Sequence, residues 1–288
     1  DNGTFSICMS DYLQEAIDEF GENLEYDVPH PAVNDLFKVG TSKQLDARRS
    51  DIFHRVTAKL LYVCMRGRPD IQPTVAYLCT RVSKSNERDY AKLRRLLRFI
   101  RGTINDRRYI GADGFSVLHT WVDVSFAVHD DMKSHTGGAM SFGTGVISTM
   151  SSKQKLNTKS TTESEFVGAS DYLARPIWTK GFMEEQGKRI LETFLHQDNE
   201  SAIKLEVNGI TSSSQRTRHI SIKYFFVKDR LESENIQVVF CPTDEMIADF
   251  FTKPLQGSLF QKLRSIIMGY THVPLVHVKA SEERVGNK

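Results

Sequence analysis

Residues 116–126 read Ser-Val-Leu-His-Thr-Trp-Val-Asp-Val-Ser-Phe, and this stretch decides the fold. Its apolar residues alternate with polar ones, which indicates a β-strand. Two more strands are predicted at 136–142 and 146–152, where glycines such as Gly137 and Gly143 interrupt the pattern. Together the three segments predict an antiparallel meander.

Downstream of the meander, predicted helices and strands alternate. They are a helix at 161–186 with Ser160 or Thr161 as its N-cap, a strand at 191–197, helices at 201–207 and 220–231, a strand at 236–241 and a helix from about Glu245. Pro176 removes one backbone hydrogen bond from the first helix, so a kink or break is expected between Ala174 and Ile177. This order of elements is typical of an α/β protein.

The first hundred residues show helical periodicity instead, at 12–20, 52–65 and 71–82, and are expected to be all-helical. With 288 residues the chain can hold two domains. Glycine and charged residues at 102–114 mark the boundary. We therefore expect a smaller, mostly helical domain at 1–112, an α/β domain at 113–268 and a tail at 269–288.

A fourth helix is expected within the basic stretch from Arg81 to Arg108, which holds ten Lys or Arg residues against three acids. Its apolar residues fall on one face, and the cations fall on the other. Lys92, Arg95 and Arg98, with Arg88 beside them, are candidates for contact with nucleic-acid phosphates. A solvated basic face without a partner explains the run equally well.

Composition excludes several other classes of protein. Four cysteines stand singly, without a CxxC pair for zinc or a dense disulfide framework. No apolar run approaches the roughly 18 residues that a membrane-spanning helix needs. The chain lacks an initiator Met and a signal-peptide pattern. We expect a soluble piece of a longer polypeptide, in an intracellular compartment that keeps thiols reduced.

Acidic residues embedded in apolar sequence are the candidate chemical groups. Asp123 lies within the first strand of the meander, Asp198 ends the strand 191–197, and Glu165 and Asp249 lie on predicted helices. Carboxylates that converge repel one another unless a divalent cation is bound, and oxygen ligands suit Mg²⁺ or Mn²⁺. Any one of these acids taken alone could equally be an ordinary surface residue.

Six ordered blocks over about 140 residues connect these acids to a known family. The blocks are Trp121-Val122-Asp123-Val124-Ser125-Phe126, Ser151-Ser152-Lys153-Gln154, Ser160-Thr161-Thr162-Glu163-Ser164-Glu165-Phe166, Gln197-Asp198-Asn199-Glu200-Ser201-Ala202-Ile203, Arg216-Thr217-Arg218-His219-Ile220 and Ala248-Asp249-Phe250-Phe251-Thr252-Lys253-Pro254-Leu255. In this order they resemble the ribonuclease H domain of copia-type LTR retrotransposon Pol polyproteins. Upstream segments such as 57–62 and 96–103 resemble the end of the reverse transcriptase in the same family. No Tyr-x-Asp-Asp polymerase motif occurs in the sequence.

The resemblance implies a ribonuclease H-like mixed five-stranded sheet flanked by helices. It also implies an endonuclease that cuts the RNA strand of RNA–DNA hybrids with two Mg²⁺ ions, Mn²⁺ being an alternative. The catalytic and metal-binding acids would be Asp123, which would bridge both ions, with Glu165, Asp198 and Asp249. Glu163 remains the alternative to Glu165, because both border the apolar stripe of their helix.

Further residues are candidates for binding the substrate. Asn199, Ser201, Ser134 and Thr136 are candidates for contact with the hybrid, the last two in a turn at 134–138. Asn199 could instead be the N-cap of the following helix, and that interpretation is preferred. The chain departs from many cellular ribonucleases H in having no His between its last strand and Asp249. His219 is interpreted as structural.

Two other functions stay open. Asp198 is followed by Glu232 and Glu234 at a spacing that integrases use, although these two residues fit a solvated helix end better. A retroelement remnant that binds hybrids without cutting them is the other alternative. The expected partners are the hybrid and the polymerase part of the same polyprotein, without a membrane. The expected location is a cytoplasmic virus-like particle, with a nuclear location also open.

Overall fold

The computed structural model describes residues 3–208 and 218–274, so residues 216–217 of the fifth block and the tail beyond 274 lie outside the described residues. The strands are β1 (Phe5–Ile7), β2 (Arg108–Ala112), β3 (Val117–Ser125), β4 (His135–Ser141), β5 (Gly143–Thr144), β6 (Ser148–Lys153), β7 (Glu192–Gln197) and β8 (Ile236–Phe240). The helices are α1 (Ser10–Phe20), α2 (Ala47–Arg66), α3 (Gln72–Cys79), α4 (Glu87–Gly102), α5 (Thr161–Glu185), α6 (Glu200–Asn208), α7 (Arg218–Ser233), α8 (Asp249–Thr252) and α9 (Gly257–Ile267).

The central feature is a mixed five-stranded sheet in the order β6-β4-β3-β7-β8. The pairs β3–β4 and β4–β6 are antiparallel, whereas β3–β7 and β7–β8 are parallel. Helices cover this sheet, so the predicted fold class is confirmed. The register pairs Trp121 with His196. Asp123 and Asp198 each lie two residues further along the chain, so both lie at the same edge of the sheet.

The two faces of the sheet bury different sets of side chains, because successive strand residues point to opposite sides. Val122 packs beneath α5 and α7 with Leu173 and Val227. Its neighbour Trp121 packs on the opposite face with Phe251. The sheet thus lies between α5 and α7 on one side and the segment that contains α8 on the other.

The N-terminal helices contribute to the same core as that second face. One cluster of buried side chains includes Leu60 of α2 and Leu97 of α4 together with Trp121 of β3 and Phe250 of α8. A separate domain at 1–112 stays a prediction. Within the described residues, no helix combines the length and apolar character needed to cross a membrane.

Two local predictions were wrong, and a third was wrong in part. The N-terminal region is not all-helical, since β1 pairs with β2, and a three-residue strand is too short to show periodicity. Helix α5 continues through Pro176, so the break does not occur, while the kink that was its alternative stays a prediction; the predicted N-cap Ser160 accepts a hydrogen bond from the Glu163 N–H. The helix expected from Glu245 is a 3-10 turn, Thr243–Glu245, followed by α8, which ends before Pro254.

Candidate metal centre

Three carboxylates meet at the edge where β3 and β7 end. Asp123 lies near the end of β3, Asp198 directly follows β7, and Glu165 lies in the second turn of α5. One oxygen from each lies within 4.8 Å of the others. Asp123 and Glu165 are buried, and Asp198 is half-buried. The parallel pairing of two strands and the packing of α5 on β3 thus bring together residues up to 75 positions apart in the sequence.

Asp249 lies beside this group on α8. Its Oδ1 atom is 2.6 Å from Lys253 Nζ, and the same ammonium lies 3.8 Å from Asp123 Oδ2. The Thr252 hydroxyl also donates a hydrogen bond to Asp123 Oδ2. The structure therefore brings all four predicted acids to one place, with Asp249 linked to the group through Lys253.

Helix α8 can approach the sheet because β4 has a glycine beneath it. A Cβ atom on Gly137 would lie 2.6 Å from Thr252 Cγ2 and 2.7 Å from the Ala248 carbonyl oxygen. Gly137 pairs with Asp123 on the neighbouring strand. The missing side chain therefore sets how close Asp249 and Thr252 come to Asp123.

Burial and mutual repulsion favour the protonated forms of these acids. Burial, followed by the charges of Asp123 and Asp198, raises the pKa of Glu165 to about 10. Burial and Asp123 likewise raise the pKa of Asp249 to about 7 and that of Asp198 above its usual value. Such a group is costly to ionise without a cation, which is the electrostatic condition of a metal site.

The donor set fits a hard divalent cation. Every candidate ligand atom is a carboxylate oxygen, which Mg²⁺ and Mn²⁺ prefer. Glu165 Oε2 is buried and accepts no hydrogen bond from the part of the chain that is described. A buried acceptor without a donor is costly, and a bound cation would satisfy it.

The structure also separates Glu165 from its alternative. Glu163 Oε2 accepts a hydrogen bond from the Lys159 N–H, while the Glu163 N–H donates to Ser160 Oγ. Ser160 is therefore the N-cap of α5, and the Glu163 carboxylate is bound to the backbone one residue before that cap. Glu163 is thus engaged at the start of the helix, and Glu165 is the residue that joins the carboxylate group.

Lys253 was missed by the sequence reasoning as a site residue. It lies in the last of the six blocks, four residues after Asp249 and therefore on the same side of a helical turn. That spacing is the signal that could have revealed it. Its ammonium is the cation that offsets part of the negative charge, and the nearby acids raise its own pKa.

The predicted hybrid contacts have mixed outcomes. Asn199 Oδ1 accepts hydrogen bonds from the N–H groups of Ser201 and Ala202, so the preferred interpretation as a helix cap agrees with the structure. Ser201 is exposed. Ser134 and Thr136 are buried, Thr136 belongs to β4 and not to a turn, and their hydroxyl oxygens accept internal hydrogen bonds. Hybrid contact by these residues stays a prediction, which the burial of the last two does not favour.

The basic helix α4 directs its cations toward the protein itself. Lys92 Nζ donates to the Leu36 carbonyl oxygen at 2.8 Å, and burial lowers the pKa of Lys92 to about 8. Arg98 donates to the Leu24 carbonyl oxygen at 3.2 Å, and Arg95 Nε is buried without a hydrogen-bond partner among the described residues. These contacts explain the basic run without nucleic acid, and phosphate binding by Lys92, Arg95 and Arg98 stays a prediction.

The integrase alternative places its glutamates elsewhere. Glu234 pairs with Lys180 at 3.3 Å, and Glu232 lies near Lys228 at the end of α7. Within the described residues neither glutamate joins the carboxylate group. The side chain of His219 lies outside the described residues, so its interpretation as structural stays a prediction.

Comparison with known proteins places this geometry in context. No family model matches the chain. The retrovirus-related Pol polyprotein from transposon TNT 1-94 of Nicotiana tabacum is 29% identical over 216 residues, which cover 75% of this chain and 16% of that protein. The Pol polyprotein from transposon RE1 of Arabidopsis thaliana is 31% identical over 224 residues, 77% of this chain and 15% of that protein. The chain thus matches only a small part of the length of these relatives.

Two solved structures show weaker likeness. LC11 ribonuclease H1 from compost is 11% identical, with a TM-score of 0.36 over 47% of this chain and 92% of that one. Ribonuclease H1 of Halobacterium salinarum NRC-1 is 9% identical, with a TM-score of 0.32 over 46% of this chain and 90% of that one. Scores at this level add nothing to the strand order of the chain itself, which defines the fold.

Proposed function

We propose that this chain, a homologue of retrovirus-related Pol polyproteins from plant transposons, hydrolyses the RNA strand of RNA–DNA hybrids. The observation that carries the proposal is the group of Asp123, Glu165 and Asp198, with Asp249 beside it, at one edge of the mixed sheet. Buried carboxylates with raised pKa values and an unsatisfied oxygen are suited to divalent cations. Phosphodiester hydrolysis is the chemistry that paired cations on carboxylates support.

Asp123 has the central place among the proposed ligands. It contributes to the raised pKa values of Glu165, Asp198 and Asp249, so it is close to each of them. We therefore propose that Asp123, Glu165, Asp198 and Asp249 would together hold two Mg²⁺ or Mn²⁺ ions, with Asp123 as the central member of the ligand set. When bound, such ions activate water and stabilise the leaving oxygen of a phosphodiester.

The residues of the chain would hold these groups in position. Thr252 and Lys253 contact Asp123, and Lys253 also contacts Asp249, so the carboxylates are oriented before substrate arrives. The expected products carry a 5′-phosphate and a 3′-hydroxyl, and the 2′-hydroxyl would distinguish RNA from DNA. The polymerase part of the polyprotein is the proposed partner.

The deciding experiment is cleavage of a labelled RNA–DNA hybrid with Mg²⁺ and with EDTA, beside single-stranded RNA, duplex RNA and duplex DNA. The Asp123→Asn variant should lose cleavage and keep hybrid binding, because it removes a proposed ligand without removing the surface around it. Asp171→Asn is the matched control, since Asp171 lies on α5 with a more exposed side chain that pairs with Lys223. That variant should cleave like the unchanged chain.

The outcomes separate the candidate functions. Metal-dependent cleavage of the hybrid's RNA strand alone, lost in Asp123→Asn, supports the proposal. Unchanged cleavage by Asp123→Asn would show that the carboxylate group is not the catalytic site. Binding of the hybrid without any cleavage, in a folded protein with Mg²⁺, would favour the inactive remnant instead.

A further inference from the structure

Two buried polar side chains, one in β6 and one directly after it, donate hydrogen bonds to the two helices that hold Asp249 and Glu165. Ser151 Oγ donates to the Phe251 carbonyl oxygen of α8 at 2.8 Å. Gln154, directly after β6, donates through Nε2 to the Ser164 carbonyl oxygen of α5 at 3.0 Å. Neither side chain belongs to the carboxylate group.

The two bonds act on opposite faces of the sheet. Ser151 pairs with Gly137, which pairs with Asp123, so Ser151 faces the side on which α8 lies. Gln154 Nε2 also donates to Thr136 Oγ1 at 3.0 Å, on the α5 side. The end of β6, which pairs with β4, thus contacts α8 on one face of the sheet and α5 on the other.

Ser151 has a fixed direction of hydrogen bonding. A carbonyl oxygen can only accept, so the Ser151 hydroxyl donates to Phe251 and must accept from His135 Nε2, which lies at 2.8 Å. His135 Nδ1 then accepts from His129 Nε2 at 3.0 Å. Burial lowers the pKa of both histidines, to about 3 for His135 and about 4 for His129, which agrees with this neutral chain.

The positions of the accepting carbonyls make these contacts specific. Phe251 is two residues after Asp249 within a helix of four residues. Ser164 directly precedes Glu165. A short helix has few hydrogen bonds of its own to fix its orientation. An external donor at Phe251 therefore restrains the position of α8, and with it the backbone that carries Asp249. The bond from Gln154 restrains the backbone of α5 directly before Glu165.

We propose that Ser151 and Gln154 are positioning residues that hold Asp249 and Glu165 at the spacing required for divalent cations, with His135 and His129 supporting Ser151. The proposal rests on the function proposed above for the metal site. It assigns no contact between these residues and the substrate. Loss of a hydrogen bond made directly to a metal ligand commonly lowers metal affinity by about 10- to 100-fold, and for bonds to the neighbouring backbone we expect the lower end of that range.

The test uses the whole chain and needs no activity for its first readout. The variants are Ser151→Ala and Gln154→Met, which remove the donors, and Ser151→Thr, which keeps a hydroxyl. Ser141→Ala is the matched control, because the buried Ser141 hydroxyl also donates to a backbone carbonyl, that of Gly145, away from α8 and α5. For each protein, the melting temperature is measured over a series of Mg²⁺ concentrations, and the rate of amide hydrogen exchange is measured separately.

Ser151→Ala should speed amide exchange in residues 246–253, and Gln154→Met in residues 161–167. Each should need about 10-fold more Mg²⁺ for the same rise in melting temperature. Ser151→Thr should restore both values, and Ser141→Ala should lower the melting temperature without changing the Mg²⁺ requirement. Faster exchange with an unchanged Mg²⁺ requirement, or no change in exchange, would overturn the proposal.

These readouts distinguish the proposal from the proposed function. If the unchanged chain is stabilised by Mg²⁺ but does not cleave the hybrid, the ribonuclease assignment fails while the shifts in Mg²⁺ requirement still support positioning. If the chain cleaves the hybrid and Ser151→Ala and Gln154→Met have the same Mg²⁺ requirement as the unchanged chain, positioning fails and the ribonuclease assignment stands.

Discussion

Lys253 is the residue whose role depends most directly on whether a cation is present. Its ammonium contacts Asp249 and Asp123, and its positive charge offsets their repulsion. We predict that, in EDTA, Lys253→Met lowers the stability of the protein by roughly 1.5–3 kcal/mol, the usual range for a hydrogen bond to a charged group. The stabilisation produced by Mg²⁺ should become larger than in the unchanged chain, because the ions then replace a missing charge.

Melting temperatures measured in EDTA and in Mg²⁺ check this prediction. Lys262→Met is the control, since Lys262 donates to a carbonyl oxygen at the surface, that of Asp244. It should leave the effect of Mg²⁺ unchanged. An equal Mg²⁺ effect in Lys253→Met and in the unchanged chain would contradict the account given for Lys253.

Glu165 gives the metal-free protein a definite dependence on pH. Its pKa in the folded protein is about 10 and its ordinary value is 4.5. Between these values the folded state holds a proton that the unfolded state releases, so stability is present at low pH and falls as the pH rises. We predict that in EDTA the melting temperature falls less steeply from about pH 5 to about pH 9 in Glu165→Gln than in the unchanged chain.

Thermal unfolding across this pH range, with and without Mg²⁺, provides the measurement. Mg²⁺ should reduce the slope in the unchanged chain, because bound cations favour the ionised carboxylates. Glu163→Gln should keep the slope, since the Glu163 carboxylate accepts from the Lys159 N–H at the start of α5 and lies outside the group. Parallel slopes for Glu165→Gln and the unchanged chain would mean that Glu165 is not held protonated.

At the scale of elements, the strands that carry Asp123 and Asp198 were predictable from the sequence. The contact between α8 and β4, which sets the distance between Asp249 and Asp123, was not. The alternation around Trp121 and the strand before Asp198 fix β3 and β7, and parallel pairing then brings Asp123 and Asp198 together. The approach of α8 to β4 depends on long-range packing that local periodicity does not encode. Gly137 was therefore interpreted as an interruption between strands, although its main effect is the space that it leaves for α8.

Long-range packing also accounts for the continuity of α5 through Pro176. The apolar face of α5 contributes Phe166, Ala169 and Leu173 to a buried cluster, and this burial offsets the hydrogen bond lost at Pro176. A break at that proline would have exposed part of the face. Local sequence rules give the free-energy cost of a proline inside a helix, but they do not include the tertiary contacts that offset this cost.

The contact between α8 and β4 yields a prediction for Gly137. A Cβ at this position would meet the Ala248 carbonyl oxygen at 2.7 Å, and backbone cannot move aside as a flexible side chain can. Gly137→Ala should therefore displace α8, reduce cleavage at a given Mg²⁺ concentration and destabilise the fold by roughly 1–3 kcal/mol.

Gly181→Ala is the matched control for this change. Gly181 lies in α5, and nothing lies within 4 Å of a Cβ added there. Alanine is favoured over glycine in helices, so Gly181→Ala should stabilise the fold by roughly 0.5–1 kcal/mol and leave cleavage unchanged. Cleavage rates over a Mg²⁺ series, with urea unfolding of both variants, test the pair. Normal Mg²⁺ dependence in Gly137→Ala would show that the position of α8 tolerates the extra methyl group.

At the scale of the whole molecule, the N-terminal region and the C-terminal helix α9 are joined by buried charge as well as by apolar contacts. Asp70 follows α2 and is fully buried, and its carboxylate receives hydrogen bonds from Arg68 at 2.8 Å and from Arg264 of α9 at 2.9 Å. These two arginines hold the pKa of Asp70 down, at about 2. The carboxylate thus links the segment after α2 to α9, 194 residues further along the chain.

This link predicts cooperative unfolding, against the expectation of separate domains at 1–112 and 113–268. Asp70→Asn leaves two buried guanidinium groups without their full countercharge and should cost roughly 3–5 kcal/mol. The variant and the unchanged chain should each unfold in one transition, because the shared core joins Leu60 and Leu97 to Trp121. Asp51→Asn, which alters an exposed pair with Arg55, should change stability by less than about 0.5 kcal/mol.

Urea unfolding followed by two probes decides between one unit and two. In a Trp178→Phe background, fluorescence reports Trp121 in the sheet, since the chain has 2 tryptophans. Far-UV circular dichroism reports the helices of both parts. Coincident transitions, shifted together by Asp70→Asn, would mean that the carboxylate site depends on the N-terminal helices for its stability. A helical transition separate from that of Trp121 would instead favour the boundary predicted near residue 112, and the metal site would then belong to a part that folds alone.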